Sequence, residues 1–149
     1  MNIPEIKLIL AEDDPDDRMF FEEALNEISV SAEVTAVKDG EELMHLLSQD
    51  DNDKFNVLFL DLNMPRKNGF ECLTEMKQNN TLETLPVIIL STTKADEIVN
   101  LLYKEGVKYY IQKPGNFPQL RKALDQALKI IKDGNTNQPP RDKFELPID

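Results

Sequence analysis

Chemistry-bearing side chains follow closely on short apolar runs at four places in this chain. Glu12-Asp13-Asp14 follows Lys7–Ala11, Asp61 follows Asn56–Leu60, Ser91-Thr92 follows Pro86–Leu90, and Lys113 follows Val107–Ile111. If those runs are strands lying side by side, two or three carboxylates, a hydroxyl and an ammonium meet at one edge. Carboxylates held that close repel one another and raise each other's pKa unless a cation intervenes. Magnesium suits such a place, because this hard ion takes one or two carboxylates together with waters and phosphate oxygens. An aspartate beside Mg²⁺ can attack phosphorus and form an aspartyl phosphate. Transfer then needs its negative oxygens neutralised by metal, lysine and hydroxyl.

The elements that must position these groups are legible from hydrophobic periodicity. A further apolar run, Glu33–Val37, brings the number of expected strands to five. Three of the runs are nearly unbroken in apolar character, as expected of parallel strands covered on both faces. Between them lie segments with helical spacing. Met19, Phe20, Ala24, Leu25 and Ile28 share a face of the first, with Asp14 placed to cap it and Pro15 at its first position. Leu43, Met44, Leu46 and Leu47 stripe the second; Phe70, Leu73 and Met76 the third; Ile98, Leu101 and Leu102 the fourth, which Gly106 can end. Leu120, Ala123, Leu124, Ala127, Leu128 and Ile131 stripe the fifth, which Asp133-Gly134 can close. Strict alternation of five strands and five helices predicts an α/β doubly wound parallel sheet with helices on both faces. Sites in such folds lie outside the carboxyl ends of the strands.

Composition narrows the function classes. With 28 acidic against 17 basic residues the net charge is −11, which repels phosphate backbones and argues against direct nucleic-acid binding. No apolar run approaches the ~20 residues that span a bilayer, and the N-terminus lacks a secretory layout, so no membrane role and a cytoplasmic location are expected. The single cysteine, Cys72, excludes an internal disulfide. Asp13–Asp17 and Asp50–Asp53 are rich in acids but lack the glycine and glutamate of a calcium loop. No glycine-rich phosphate loop follows the first strand. Asp14, Asp16 and Asp17 read as cap and first-turn residues, and His45 as an ordinary helical residue.

Taken together, Leu10-Ala11-Glu12-Asp13-Asp14, Leu60-Asp61-Leu62-Asn63-Met64-Pro65 with Gly69, Leu90-Ser91-Thr92 and Lys113-Pro114 resemble the receiver domain of two-component response regulators, over roughly residues 5–132. The resemblance implies a flavodoxin-like strand order 2-1-3-4-5. It implies Asp61 as phosphoacceptor, Mg²⁺ as cofactor held by Glu12, Asp13, Asp61 and the backbone carbonyl of Asn63, and Ser91 and Lys113 as partners of phosphoryl oxygens. Pro114 would follow a cis bond. Tyr110 falls at the family's aromatic switch position and would turn inward as Ser91 moves toward the phosphoryl group. Thr92 is larger than the residue common there, and Asn63 and Thr93 sit where phosphoryl lifetime is set.

The resemblance further implies a sensor histidine kinase or phosphotransfer protein as donor and a separate downstream protein target. The message would leave by the face of the fourth helix, fifth strand and fifth helix. The activity would be confined to self-phosphorylation from a donor and slow autodephosphorylation, in a stand-alone, single-domain protein without an output domain; a homodimer is left open. Two other functions compete. A phosphohydrolase similar to haloacid dehalogenases would want an aspartate two residues after the nucleophile, where Asn63 stands. A phosphate-independent adaptor would not need the full acid, hydroxyl and lysine set. Residues 133–149 form a polar, proline-bearing tail, in which Phe144, Leu146 and Ile148 alternate as in a segment laid along a sheet edge or a partner subunit.

Overall fold

A computed structural model describes residues 5–49, 55–113, 116–134 and 137–148. Strands β1 (Ile6–Ala11), β2 (Ala32–Val37), β3 (Val57–Asp61), β4 (Val87–Ser91) and β5 (Tyr109–Gln112) alternate with helices α1 (Pro15–Asn26), α2 (Gly40–Leu47), α3 (Gly69–Gln78), α4 (Thr81–Thr84), α5 (Asp96–Lys104) and α6 (Phe117–Lys132). A 3-10 turn, Arg141–Lys143, precedes a last strand, β6 (Glu145–Leu146). All pairings are parallel, in the order β2-β1-β3-β4-β5-β6.

Two differences from the expected count stand out. The single-turn helix α4 is too short to show a period, so the expected fourth and fifth helices are α5 and α6. The sixth strand comes from the tail, which lies along the β5 edge: Tyr110 is in register with Glu145 and Ile111 with Leu146.

Alternation along each strand sends side chains to opposite faces. Leu8, Leu10, Phe59, Ile88, Tyr109 and Leu146 pack under α1 and α6. Ile9, Leu58, Leu60, Ile89, Tyr110 and Phe144 pack under α2, α3 and α5. Every residue of β3 and β4 is buried, which is why they read as unbroken apolar runs. The edge strand β2 is half-exposed and carries Glu33, which discourages pairing with another chain.

The helix ends follow local chemistry. The Asp14 carboxylate accepts from the backbone N–H of Asp16 and Asp17, with Pro15 opening α1. Gly106 ends α5 at φ 98°, a conformation glycine adopts without penalty. Two stripes shift from expectation. Phe21, Ala24 and Leu25 form the buried face of α1, leaving Met19 59% exposed, and Val99 with Leu102 carries α5 while Leu101 is exposed. Several neighbouring apolar residues allowed more than one helical face, and only the packing direction chose between them.

Candidate functional site

The winding reverses between β1 and β3, and the carboxyl ends of β1, β3, β4 and β5 meet there. Glu12 directly follows β1, Asp61 and Ser91 are the last residues of β3 and β4, and Lys113 directly follows β5. Two backbone bonds fix the corners: Glu12 N–H donates to Val37 O at 3.0 Å, and Lys113 N–H to Ser91 O at 2.5 Å. Gly69 opens α3 so close to the end of β3 that an added Cβ would lie 2.8 Å from the Asp61 carbonyl oxygen. Only glycine lets that turn approach.

Carboxylate oxygens of Glu12, Asp13 and Asp61 all lie within 4.8 Å of one another, with Glu12 and Asp61 buried and Asp13 exposed. The Lys113 ammonium contacts Glu12 Oε1 directly, lies 3.0 Å from Asp17 Oδ2 and 3.7 Å from Asp61 Oδ2. Burial pushes the Glu12 carboxyl up to about 7; the Lys113 contact opposes this and the Asp61 charge adds to it. Burial pulls Lys113 down, but its bonds to Glu12 and Asp17 outweigh this and hold it above the ordinary lysine range. The two shifts pull against each other, since one favours a neutral Glu12 and the other an ionised one. Burial prevails at Glu12 and the ion pairs prevail at Lys113, which stays charged throughout.

A group of hard oxygen donors, with one buried acid held toward its neutral form, fits a divalent cation. Glu12, Asp13 and Asp61 supply the oxygens. Asn63, expected to contribute its carbonyl, contacts Asp61 through its N–H, which donates to Asp61 Oδ1 at 3.1 Å. Ser91 is buried and does not cap α5, whose N-cap is Ala95; its Oγ accepts from Thr93 N–H at 3.2 Å, and its side chain also pairs with that of Tyr110. Tyr110, expected at the switch position, is buried in this structure, its hydroxyl donating to Thr93 O at 2.6 Å. Its ring centroid lies 6.4 Å from that of Phe144, and both side chains belong to the same buried cluster. The Lys113–Pro114 bond lies outside the described residues.

Sequence reasoning missed one member. Asp17 was expected only as a first-turn residue, yet its carboxylate holds Lys113 across 96 positions of sequence. Its helical place gave no sign of this.

This fold, with acids, hydroxyl and lysine gathered at the switch point, defines a class. The sequence profile of the response regulator receiver domain matches residues 8–125, and the chain belongs to that family of two-component phosphorelay proteins. Membership implies a histidine kinase or other phosphodonor as partner. Among individual proteins, the chain is similar to the response regulator Rcp1 of Synechocystis sp., 33% identical over 127 residues covering 83% of this chain and 86% of that one. A chemotaxis CheY homolog of Campylobacter jejuni is 28% identical, over 83% of this chain and 92% of its own. Among solved structures, the phosphorylated cyanobacterial phytochrome response regulator RcpA matches with a TM-score of 0.74 at 32% identity, covering 91% of this chain and 99% of that one. The Mn²⁺-bound form of Rcp1 matches with a TM-score of 0.71 at 29% identity, over 91% and 99%. Among the described residues no helix is long and apolar enough to cross a membrane.

Proposed function

We propose that the protein accepts a phosphoryl group on Asp61 from a partner histidine kinase or phosphotransfer protein, with Mg²⁺ as cofactor. The reading is carried by one observation: the buried Asp61 carboxylate lies among Glu12, Asp13 and the Lys113 ammonium. An Asp61 oxygen forms the new O–P bond while the N–P bond of the donor phosphohistidine breaks, and the imidazole leaves with the bonding electron pair. Lys113 has a third N–H free for a phosphoryl oxygen once Glu12 and Asp17 take two. The Ser91 hydroxyl, accepting from Thr93 through its lone pair, donates its proton to another phosphoryl oxygen. Glu12, Asp13, Asp61 and the Asn63 carbonyl would hold Mg²⁺, which when bound supplies neutralisation of the phosphoryl charge. A phosphorylated RcpA and a Mn²⁺-bound Rcp1 among its relatives support this assignment.

The chemistry is that of a switch rather than of a turnover enzyme, limited to taking up the group and slowly losing it. The message would pass to a downstream protein through the face of α5, β5 and α6, by shifting a pre-existing equilibrium. The test is incubation with Mg²⁺ and acetyl phosphate, followed by intact mass. One base-labile phosphoryl increment, absent in Asp61→Asn, is expected. No increment in the wild type, an increment that persists in Asp61→Asn, or continuous phosphate release at enzyme-like rates would each overturn the assignment.

A further inference from the structure

The chain's own C-terminal segment is built onto the β5 edge by contacts at both of its ends and its middle. Gln138 Nε2 donates to Tyr103 O at 2.7 Å and Val107 O at 2.8 Å, while the Tyr103 hydroxyl donates to Pro139 O at 2.6 Å. Arg141 Nε donates to Asn100 Oδ1 at 2.7 Å. At the far end Gln126 grips Ile148 twice, Nε2 donating to its carbonyl at 2.5 Å and Oε1 accepting from its N–H at 2.7 Å. In the middle Phe144 is fully buried, edge-on to Tyr103 at 5.1 Å, and its carbonyl accepts from Tyr110 N–H at 3.0 Å.

Phe144 is also three short links from the phosphoryl-receiving edge. Its ring covers Tyr110, the Tyr110 hydroxyl holds Thr93 O at 2.6 Å, and Thr93 N–H holds Ser91 Oγ at 3.2 Å. We propose that residues 137–148 are a clamp on this edge, with Phe144 a positioning residue that acts through Tyr110 and Thr93 on Ser91. This rests on the phosphoryl-acceptor assignment above. Without Phe144 the Tyr110 ring loses its cover, and water becomes an alternative partner for its hydroxyl. Thr93 is then released, and with it the loop that aims Ser91. Transfer to Asp61 depends on a hydroxyl already in place, so release of the tail weakens phosphoryl binding. Linkage requires the reverse as well: a phosphoryl group that engages Ser91 tightens the tail by the same factor. A partner that reads the β5 side would therefore meet the tail as part of the surface.

The test uses beryllium trifluoride, a mimic of a phosphoryl group on a carboxylate, with saturating Mg²⁺. In the wild type it is expected to slow amide exchange of Tyr110, whose acceptor is the Phe144 carbonyl. Phe144→Ala is expected to weaken its binding about tenfold, and Phe144→Leu to restore most of the loss. Leu47→Ala, which opens the core beneath α2 and away from the β5 edge, leaves binding within about twofold. Gln126→Ala, which frees only the Ile148 end, weakens binding in the same direction and keeps the question open to an answer if Phe144→Ala fails to fold. Unchanged binding in Phe144→Ala and Gln126→Ala, equal weakening in Leu47→Ala, or no protection of Tyr110 would overturn the clamp. A wild type that binds no beryllium trifluoride sinks the phosphoryl-acceptor assignment, and the clamp with it.

Discussion

Glu12 is the residue whose charge state the fold strains most, and removal of divalent cation should expose that strain as a pH-dependent loss of stability. The side chain is 1% exposed, and burial raises its carboxyl from 4.5 to about 7. Its folded value thus lies above the unfolded one. Between those two values the unfolded chain has released the proton and the folded chain has not, so the Glu12 contribution to stability is full below pH 4.5 and is lost as pH rises through about 7. At roughly 1.4 kcal/mol per unit the loss amounts to about 3 kcal/mol. For a chain of this size that lowers Tm by roughly 6–12 °C. Lys113, held above the ordinary lysine range, stays charged across this window and adds no slope of its own. The assay is thermal unfolding in EDTA at pH 5, 6, 7 and 8, for the wild type and Glu12→Gln, so that contributions from other carboxylates cancel in the difference. Mg²⁺ at about a hundred times its Kd should return about 2.7 kcal/mol to the wild type near pH 7.5. If the stability of the wild type minus that of the Glu12→Gln variant is flat, or rises, between pH 5 and 7, the reasoning that burial dominates at Glu12 is refuted.

Four more outcomes follow from the geometry. Asp17→Asn removes a half-exposed partner 3.0 Å from Lys113, so stability should change by no more than about 1 kcal/mol while the Lys113 pKa falls, read by lysine side-chain NMR titration; an unmoved pKa would contradict the contact. Gly69→Ala should cost about 1–3 kcal/mol in urea unfolding and weaken cation binding, because the new Cβ meets the Asp61 carbonyl and Leu62 Cα at 2.8 Å. Gly106→Ala, with φ +98° but no atom within 4 Å, should cost stability through its backbone alone and leave cation binding untouched. Tyr103→Phe deletes the bond to Pro139 O and should cost about 0.5–1.5 kcal/mol while increasing proteolysis near residues 138–143; protease resistance equal to the wild type would show the tail needs no such anchor.

The parts of this protein that depend on neighbours in sequence could be read before any coordinates. Strands buried on both faces announce themselves as unbroken apolar runs, and β3 and β4 are of that kind. Asp14 at the start of α1 and Gly106 at the end of α5 act within a turn of their own positions. The acids, hydroxyl and lysine at the strand ends were visible because a parallel sheet leaves them little choice of edge.

What the tertiary structure alone decided depends on partners far apart along the chain. Phe144, Leu146 and Ile148 showed a period of two, but a strand of two residues cannot say which edge it joins, and Phe144 found Tyr103 and Tyr110 only through folding. Asp17 looked like any first-turn acid until α1 was set against the end of β5 and put it beside Lys113. Met19 stayed in water because the roll of α1 about its axis is chosen by the sheet beneath it. Local chemistry determines which elements form and what they carry at their ends. Contacts across the sheet, where one rigid packing direction excludes the others, determine which side chains meet.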